Sequence, residues 1–200
     1  MVAPTTPPRP TLSTRNTPQQ YLLYLIRRLG GILFIALGLF VAMNLAWPRY
    51  LVEGLSMRPM FEGTGNERVI VNRLEYFINP PQRGDVVVML NPENLSTFYI
   101  KRLIGLPGER IALVDGVVFI NGQRLQEPYI PQVCQASHCR FNEWQLGPNE
   151  YFVLGDNRNV SHDSAVFGPV QRSLLIGRAW INYWPPEEFQ MIDHYAYKDK

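Results

Sequence analysis

The 200-residue chain carries 19 Lys and Arg against 17 Asp and Glu, a net charge of +2 that is too small to argue for a nucleic-acid partner. Its two cysteines, Cys134 and Cys139, fit neither a disulfide-rich scaffold nor a four-ligand zinc site, and no metal or cofactor is expected. Seventeen prolines and fifteen glycines suit a loop-rich β protein better than a helical bundle.

Residues 1–20 are rich in Pro and Thr with little to bury, which predicts a disordered tail. Residues 21–48 turn apolar, and the stretch from Leu29 to Pro48 holds no charge. At about 1.5 Å per residue that stretch spans roughly 30 Å, the thickness of a bilayer's hydrocarbon core. Trp47 and Tyr50 fall where an interfacial aromatic belt sits. A cleavable leader has a shorter apolar core and a small-x-small exit, and a buried soluble helix has a polar face; this segment has neither, so it reads as a single membrane anchor. Arg9, Arg15, Arg27 and Arg28 precede it without an acid, which puts the N-terminus in the cytoplasm and residues 49–200 outside it.

After the anchor, short runs bounded by Pro, Gly or Asn predict strands over Arg68–Asn72, Asp85–Leu90 and Thr97–Ile104. Ile111–Val114, Val117–Ile120 and Gln123–Leu125 are joined by Asp115-Gly116 and Asn121-Gly122, dipeptides that favour the tight turns of a β-meander. Residues 126–148 predict an insert or a long loop, and Tyr151–Leu154 and Leu174–Ile181 close the series. The reading is of a mainly antiparallel β domain over residues 49–200.

Three stretches can carry chemistry. In Val52-Glu-Gly-Leu-Ser-Met-Arg-Pro-Met60, Gly54 permits unusual backbone angles and Pro59 restrains its neighbours, so Ser56 sits on a stiff, non-helical turn just after the anchor, close to the membrane surface. A serine so presented is a nucleophile only if a base removes its proton; otherwise it is an ordinary strand-entry residue. In Phe98-Tyr-Ile-Lys-Arg-Leu-Ile-Gly105, Lys101 shares a strand face with Tyr99 and Leu103, opposite Arg102. If that face is buried, desolvation lowers the amine's pKa; three units would need about 4 kcal/mol, and the neutral amine is then a competent base. On an edge strand the same lysine would simply snorkel to water. The third stretch, Gly155–Ser164, is dense in side chains that bond to backbone (Asp156, Arg158, Ser161 and Asp163 among them) and predicts a loop held rigid by its own hydrogen bonds.

Taken together, Gly54-Leu-Ser-Met-Arg-Pro59, Arg83-Gly-Asp-Val-Val-Val88, Tyr99-Ile-Lys-Arg-Leu-Ile-Gly-Leu-Pro-Gly-Glu109 and Gly155-Asp-Asn-Arg-Asn-Val-Ser-His-Asp-Ser164, in this order behind an anchor, resemble the bacterial type I signal peptidases over about Leu29 to Trp184. The resemblance implies an antiparallel, barrel-like β domain behind one transmembrane helix, and a serine endopeptidase that removes signal peptides from exported preproteins. It implies Ser56 as nucleophile, Lys101 as general base, Ser161 as a residue that hydrogen-bonds the lysine amine, and the Ser56 N–H as one oxyanion donor. Many relatives have a serine hydroxyl as second donor where this chain has Gly54, so a backbone N–H or water would serve there. Relatives commonly have Arg where this chain has Ala165, which leaves Arg102 or Arg158 to pair with Asp163. Cleavage after a small-x-small site presented as an extended strand is implied, with Gly54, Phe98 and Tyr99 lining the cleft and Met57 at its floor.

Under this topology Cys134 and Cys139 face an oxidising compartment, and a small disulfide loop is expected. His162 beside Asp163 suggests a Ser/His/Asp triad, but adjacency is poor evidence for one. The self-cleaving Ser/Lys repressors resemble the same β domain and lack the anchor. An inactive tethered scaffold would have lost Ser56 or Lys101.

Overall fold

The structure, a computed structural model, describes residues 18–197 except 131, 133, 136 and 140. The expected tail therefore lies outside the described residues as far as position 17. The chain divides into two compact units at Met43/Asn44. Helix α1, Pro18–Ala46, buries none of its residues and is long and apolar enough to cross a membrane. It starts three residues before, and ends two residues short of, the apolar segment read from sequence.

The second unit is mainly antiparallel β. Strands β1 (Arg49–Glu53), β2 (Thr64–Asn72), β3 (Val86–Asn91), β4 (Asn94–Gly105), β5 (Arg110–Val114), β6 (Val117–Ile120), β7 (Gln123–Arg124), β8 (Phe141–Gln145), β9 (Glu150–Leu154), β10 (Val170–Gln171), β11 (Leu175–Trp184) and β12 (Gln190–Met191) are joined by two single-turn helices, α2 (Glu75–Ile78) and α3 (Ser164–Phe167). One sheet runs β1-β2-β11-β3-β4-β9-β10, with β12 on β11; the other runs β7-β6-β5-β8. In the second sheet Asp115, Gly116, Asn121 and Gly122 all have positive φ, the geometry that two-residue hairpin turns require. Residues 126–148, expected as an insert or long loop, contain β8, which pairs with β5 from Arg110↔Gln145 to Val114↔Phe141.

The larger sheet curls. Val52, Met57, Phe61, Val69, Val71, Val86, Val88 and Ala179 form its interior, and the rings of Tyr50 on β1 and Phe98 on β4 meet at 5.1 Å between centroids. The first strand of the path thereby comes round to the fifth, a barrel-like closure without main-chain pairing between them. β4 pairs with β3 from Asn94 onward but with β9 only from Arg102 onward, so its earlier outer edge, like that of β1, has no strand beside it among the described residues.

The Arg83 and Glu109 motifs hold the two sheets in register. The Arg83 guanidinium forks onto the Glu109 carboxylate at 2.9 and 2.6 Å and also donates to the Ile104 carbonyl. Between Arg83 and Asp85, Gly84 has φ +100°, and a Cβ there would lie 2.1 Å from the Tyr195 carbonyl oxygen, so only glycine fits. Asp85 accepts from the Tyr76 hydroxyl and the Gln82 N–H.

Candidate active site

Ser56 lies on the turn that follows β1. Gly54, at φ +85°, bends the chain out of the strand, and its N–H donates to the Gly63 carbonyl. Met57 and Phe61, buried in the barrel interior, anchor the far side of the turn. The Asn157 N–H donates to the Ser56 carbonyl at 3.0 Å, tying the serine to the polar loop after β9. The Gly54 N–H is thus engaged at the position where the resemblance implies a second oxyanion donor. The Ser56 N–H makes no hydrogen bond among the described residues.

Lys101 is 3% exposed, opposite Val87 on β3 and on the face of β4 that carries Tyr99 and Leu103. Its Nζ donates to Ser56 Oγ at 2.7 Å and lies 5.1 Å from the centre of the Tyr99 ring. Burial lowers the amine from its ordinary 10.5 to about 8, against the opposing pull of the Asp163 and Asp156 carboxylates. Ser56 and Lys101, 45 positions apart in sequence, are thus in hydrogen-bond contact. A hydroxyl and a partly neutral amine at this distance can exchange a proton.

The Gly155–Ser164 loop is held by charges that do not touch the reacting pair. Arg102, facing away from Lys101, forks onto Asp156 at 2.8 and 2.7 Å with the Tyr129 ring beneath its guanidinium. Arg158 forks onto Glu127 at 3.0 and 2.5 Å and donates to the Gly155 carbonyl. Both arginines are therefore committed elsewhere, and Asp163 is met by backbone instead: it accepts from the N–H of Gly155 at 2.9 Å and of Ala165 at 3.0 Å, capping α3. Asp163 thus takes its hydrogen bonds from two amides, and its charge still helps raise the pKa of the Arg158 guanidinium.

Ser161 also departs from expectation. Its Oγ is buried and has no hydrogen-bond partner, so it does not bond the Lys101 amine. It packs instead against Gly155: a Cβ there would lie 2.3 Å from Ser161 Oγ and 2.4 Å from the Ser56 carbonyl oxygen. His162 turns outward to Glu93, 2.6 Å away and exposed, and not to Asp163, so no Ser/His/Asp triad forms.

The expected cleft residues divide by face. Tyr99 is on the Lys101 side, its hydroxyl accepting from Asn91 Nδ2 and its ring stacked on Phe167. Phe98 is on the other side against Tyr50, and Met57 is sealed in the barrel core. Cys134 and Cys139 are bonded to each other, with their Cα atoms 6.0 Å apart. Three contributors were not singled out from sequence: Gly155, whose lack of a side chain lets Ser56 and Ser161 approach; the main-chain N–H of Asn157; and Glu127, the partner of Arg158. Gly155 and Asn157 lie within the quoted loop motif, but their roles, like that of Glu127, come from contacts across the chain.

A β domain with a serine hydroxyl against a buried lysine amine defines a class of serine hydrolase site. The family profile described as signal peptidase, peptidase S26, matches residues 25–184. Signal peptidase I of Leptolyngbya laminosa is 38% identical over 91% of this chain and 89% of its own. Signal peptidase I of Bacillus caldolyticus is 36% identical over 78% of this chain and 90% of its own. A solved signal peptidase I from Enterococcus faecalis V583 aligns with 32% identity and a TM-score of 0.44 over 50% of this chain and 97% of that one. The chain belongs to the signal peptidase family, peptidase S26. It is a serine peptidase of the type that removes signal peptides from preproteins.

Proposed function

We propose that Ser56 attacks the scissile carbonyl of a signal peptide while Lys101 takes its proton. The amine then protonates the leaving amine of the mature chain, and an acyl-enzyme remains on Ser56. Lys101, neutral again, deprotonates the water that hydrolyses it. The observation that carries this reading is the 2.7 Å contact between Lys101 Nζ and Ser56 Oγ in a setting that brings the amine down to about 8. The Ser56 N–H supplies one oxyanion donor, and a second comes from water or from another backbone amide; one such donor is worth on the order of 10²–10³ in rate.

The unpaired outer edges of β1 and β4 support recognition of the substrate as an added strand. From the Tyr50–Phe98 contact the two strands lead to Ser56 and Lys101. An extended segment running between them would end with its scissile bond at the dyad. The open space over Gly54 and the Tyr99 ring flank that end, which suits small side chains of an Ala-x-Ala type. Asp156, Arg158 and Asp163 hold the loop behind the dyad, and Ser161 borders it. We further propose that α1 spans the lipid bilayer with the arginine-rich N-terminus in the cytoplasm and the catalytic domain outside, acting without cofactor and without nucleic acid.

The test is cleavage of a preprotein with an Ala-x-Ala site by the full chain in phospholipid vesicles. Ser56→Ala and Lys101→Ala should each lower turnover by at least about 10³-fold, comparable to loss of a serine hydrolase's nucleophile or base. Cleavage retained by either variant would reject the dyad.

A further inference from the structure

A recess borders the part of the turn that follows Ser56. It is a cavity of about 320 Å³ walled by Arg58, Glu62, Gln132, Asn157 and Asn159, with Asp156 and Arg158 behind. One bond connects it to the nucleophile, the Asn157 N–H on the Ser56 carbonyl, and Arg58 lies two residues on, its N–H donating to the Leu55 carbonyl. If the signal-peptide side of the substrate fills the slot between β1 and β4, the chain that continues past the scissile bond leaves over this recess.

We propose that the cavity is the subsite for the first two residues of the mature protein, and that it favours polar side chains of either charge over apolar ones. This rests on the Ser56/Lys101 reading given above. Of the four charged groups around the recess, two are spent: Asp156 on Arg102 and Arg158 on Glu127. The remaining two, Arg58 and Glu62, form an ion pair at 3.1 Å with both side chains about half exposed. An exposed pair of this kind is weakly held, so a substrate carboxylate can take Arg58 from Glu62, and a substrate ammonium can take Glu62 from Arg58. The neutral amides of Asn157, Asn159 and Gln132 and the ring of Pro59 complete a wall that is more polar than apolar.

The disulfide segment holds the outer wall. Gln135 N–H donates to Asn159 Oδ1 at 2.8 Å, and Cys134 Sγ lies 3.4 Å from the Arg158 carbonyl oxygen.

The experiment uses the full chain in phosphatidylcholine and phosphatidylglycerol vesicles, with preproteins that share one Ala-x-Ala site and differ only at the first or second mature residue (Asp, Lys, Gln or Phe). Wild-type enzyme should cleave the Asp and Lys substrates about equally and the Phe substrate at least about threefold less well, since a neutral ion pair and amide wall favour polar groups. Glu62→Gln should shift the Asp-to-Lys ratio of kcat/KM about two- to fivefold toward Asp, and Arg58→Gln by a similar factor toward Lys. Ratios that move in neither variant, or in the same direction in both, overturn the subsite. Should either variant fail to fold, the wild-type series still decides, because equal cleavage of the Phe and Gln substrates overturns it. Failure here is distinct from failure of the dyad: the ratios test the recess, and Ser56→Ala and Lys101→Ala test the chemistry.

Discussion

The Asn157 N–H donates to the Ser56 carbonyl oxygen at 3.0 Å, and Gly155, two residues earlier, lies flat against the same oxygen. The turn that presents the hydroxyl is thus pinned by a loop about 100 residues further along the chain. The nucleophile's position is a property of that junction and not of the Gly54–Met60 segment alone.

Gly155→Ala tests the junction. The added Cβ would sit 2.3 Å from Ser161 Oγ and 2.4 Å from the Ser56 oxygen, so backbone must move. Misplacing a reacting group by about 1 Å costs on the order of 10²-fold. We expect kcat/KM to fall by about that factor while far-ultraviolet circular dichroism stays unchanged. Wild-type kcat/KM in Gly155→Ala would show that the contact does not position Ser56.

The pH profile tests the base. With Lys101 near 8, kcat/KM should rise about tenfold per unit below that value and level off above it. Asp163 pulls the amine's pKa upward, so Asp163→Asn, which can still cap α3, should move this limb to lower pH. An unchanged or upward-moving limb would contradict the assignment.

The same amine sets a stability term of definite sign. Its folded value, about 8, lies below the ordinary 10.5, so the unfolded chain binds its proton more tightly. Below pH 8 both states are protonated and the cost of the buried charge is fully present. Between about 8 and 10.5 that cost is relieved, and stability rises by on the order of 3 kcal/mol. Lys101→Met should abolish this rise; denaturant titrations at pH 7 and pH 10 measure it.

The Arg102–Asp156 pair is fully buried and doubly hydrogen-bonded. Asp156→Ala leaves an unpaired guanidinium inside and should cost about 3–5 kcal/mol, whereas replacing both by apolar residues of similar volume should recover most of it. Thermal unfolding of the detergent-solubilised chain reads the difference. A double variant no more stable than Asp156→Ala would contradict this account.

The disulfide closes a short loop, its ends five positions apart in sequence. Chain-entropy arguments give about 2 kcal/mol for a loop of this size. Replacing both cysteines by serine should lower the unfolding midpoint accordingly and leave the Ser56–Lys101 contact in place. A complete loss of catalysis would show instead that the loop is part of the dyad's support.

Much of the molecule is legible from residue order because its causes are local. The helix follows from an uncharged apolar run, the β5–β6–β7 meander from Asp-Gly and Asn-Gly turns, and the opposed directions of Lys101 and Arg102 from strand alternation. The candidates Ser56 and Lys101 were visible through the motifs that carry them. What only the folded chain decides is who meets whom. β8 is exposed apart from Trp144, which packs on Phe152, and pairs along the edge that β5 offers. Asp163 takes the N–H groups of Gly155 and Ala165, while Asp156 and Glu127 hold the forks of the two arginines. Ser161 ends up against Gly155 with no partner, and Gly54 gives its amide to Gly63. These are choices among equivalent donors and acceptors, settled by distances across the fold. A linear order of residues fixes which groups are available, and only three-dimensional closure decides which of them lie within a hydrogen bond's reach.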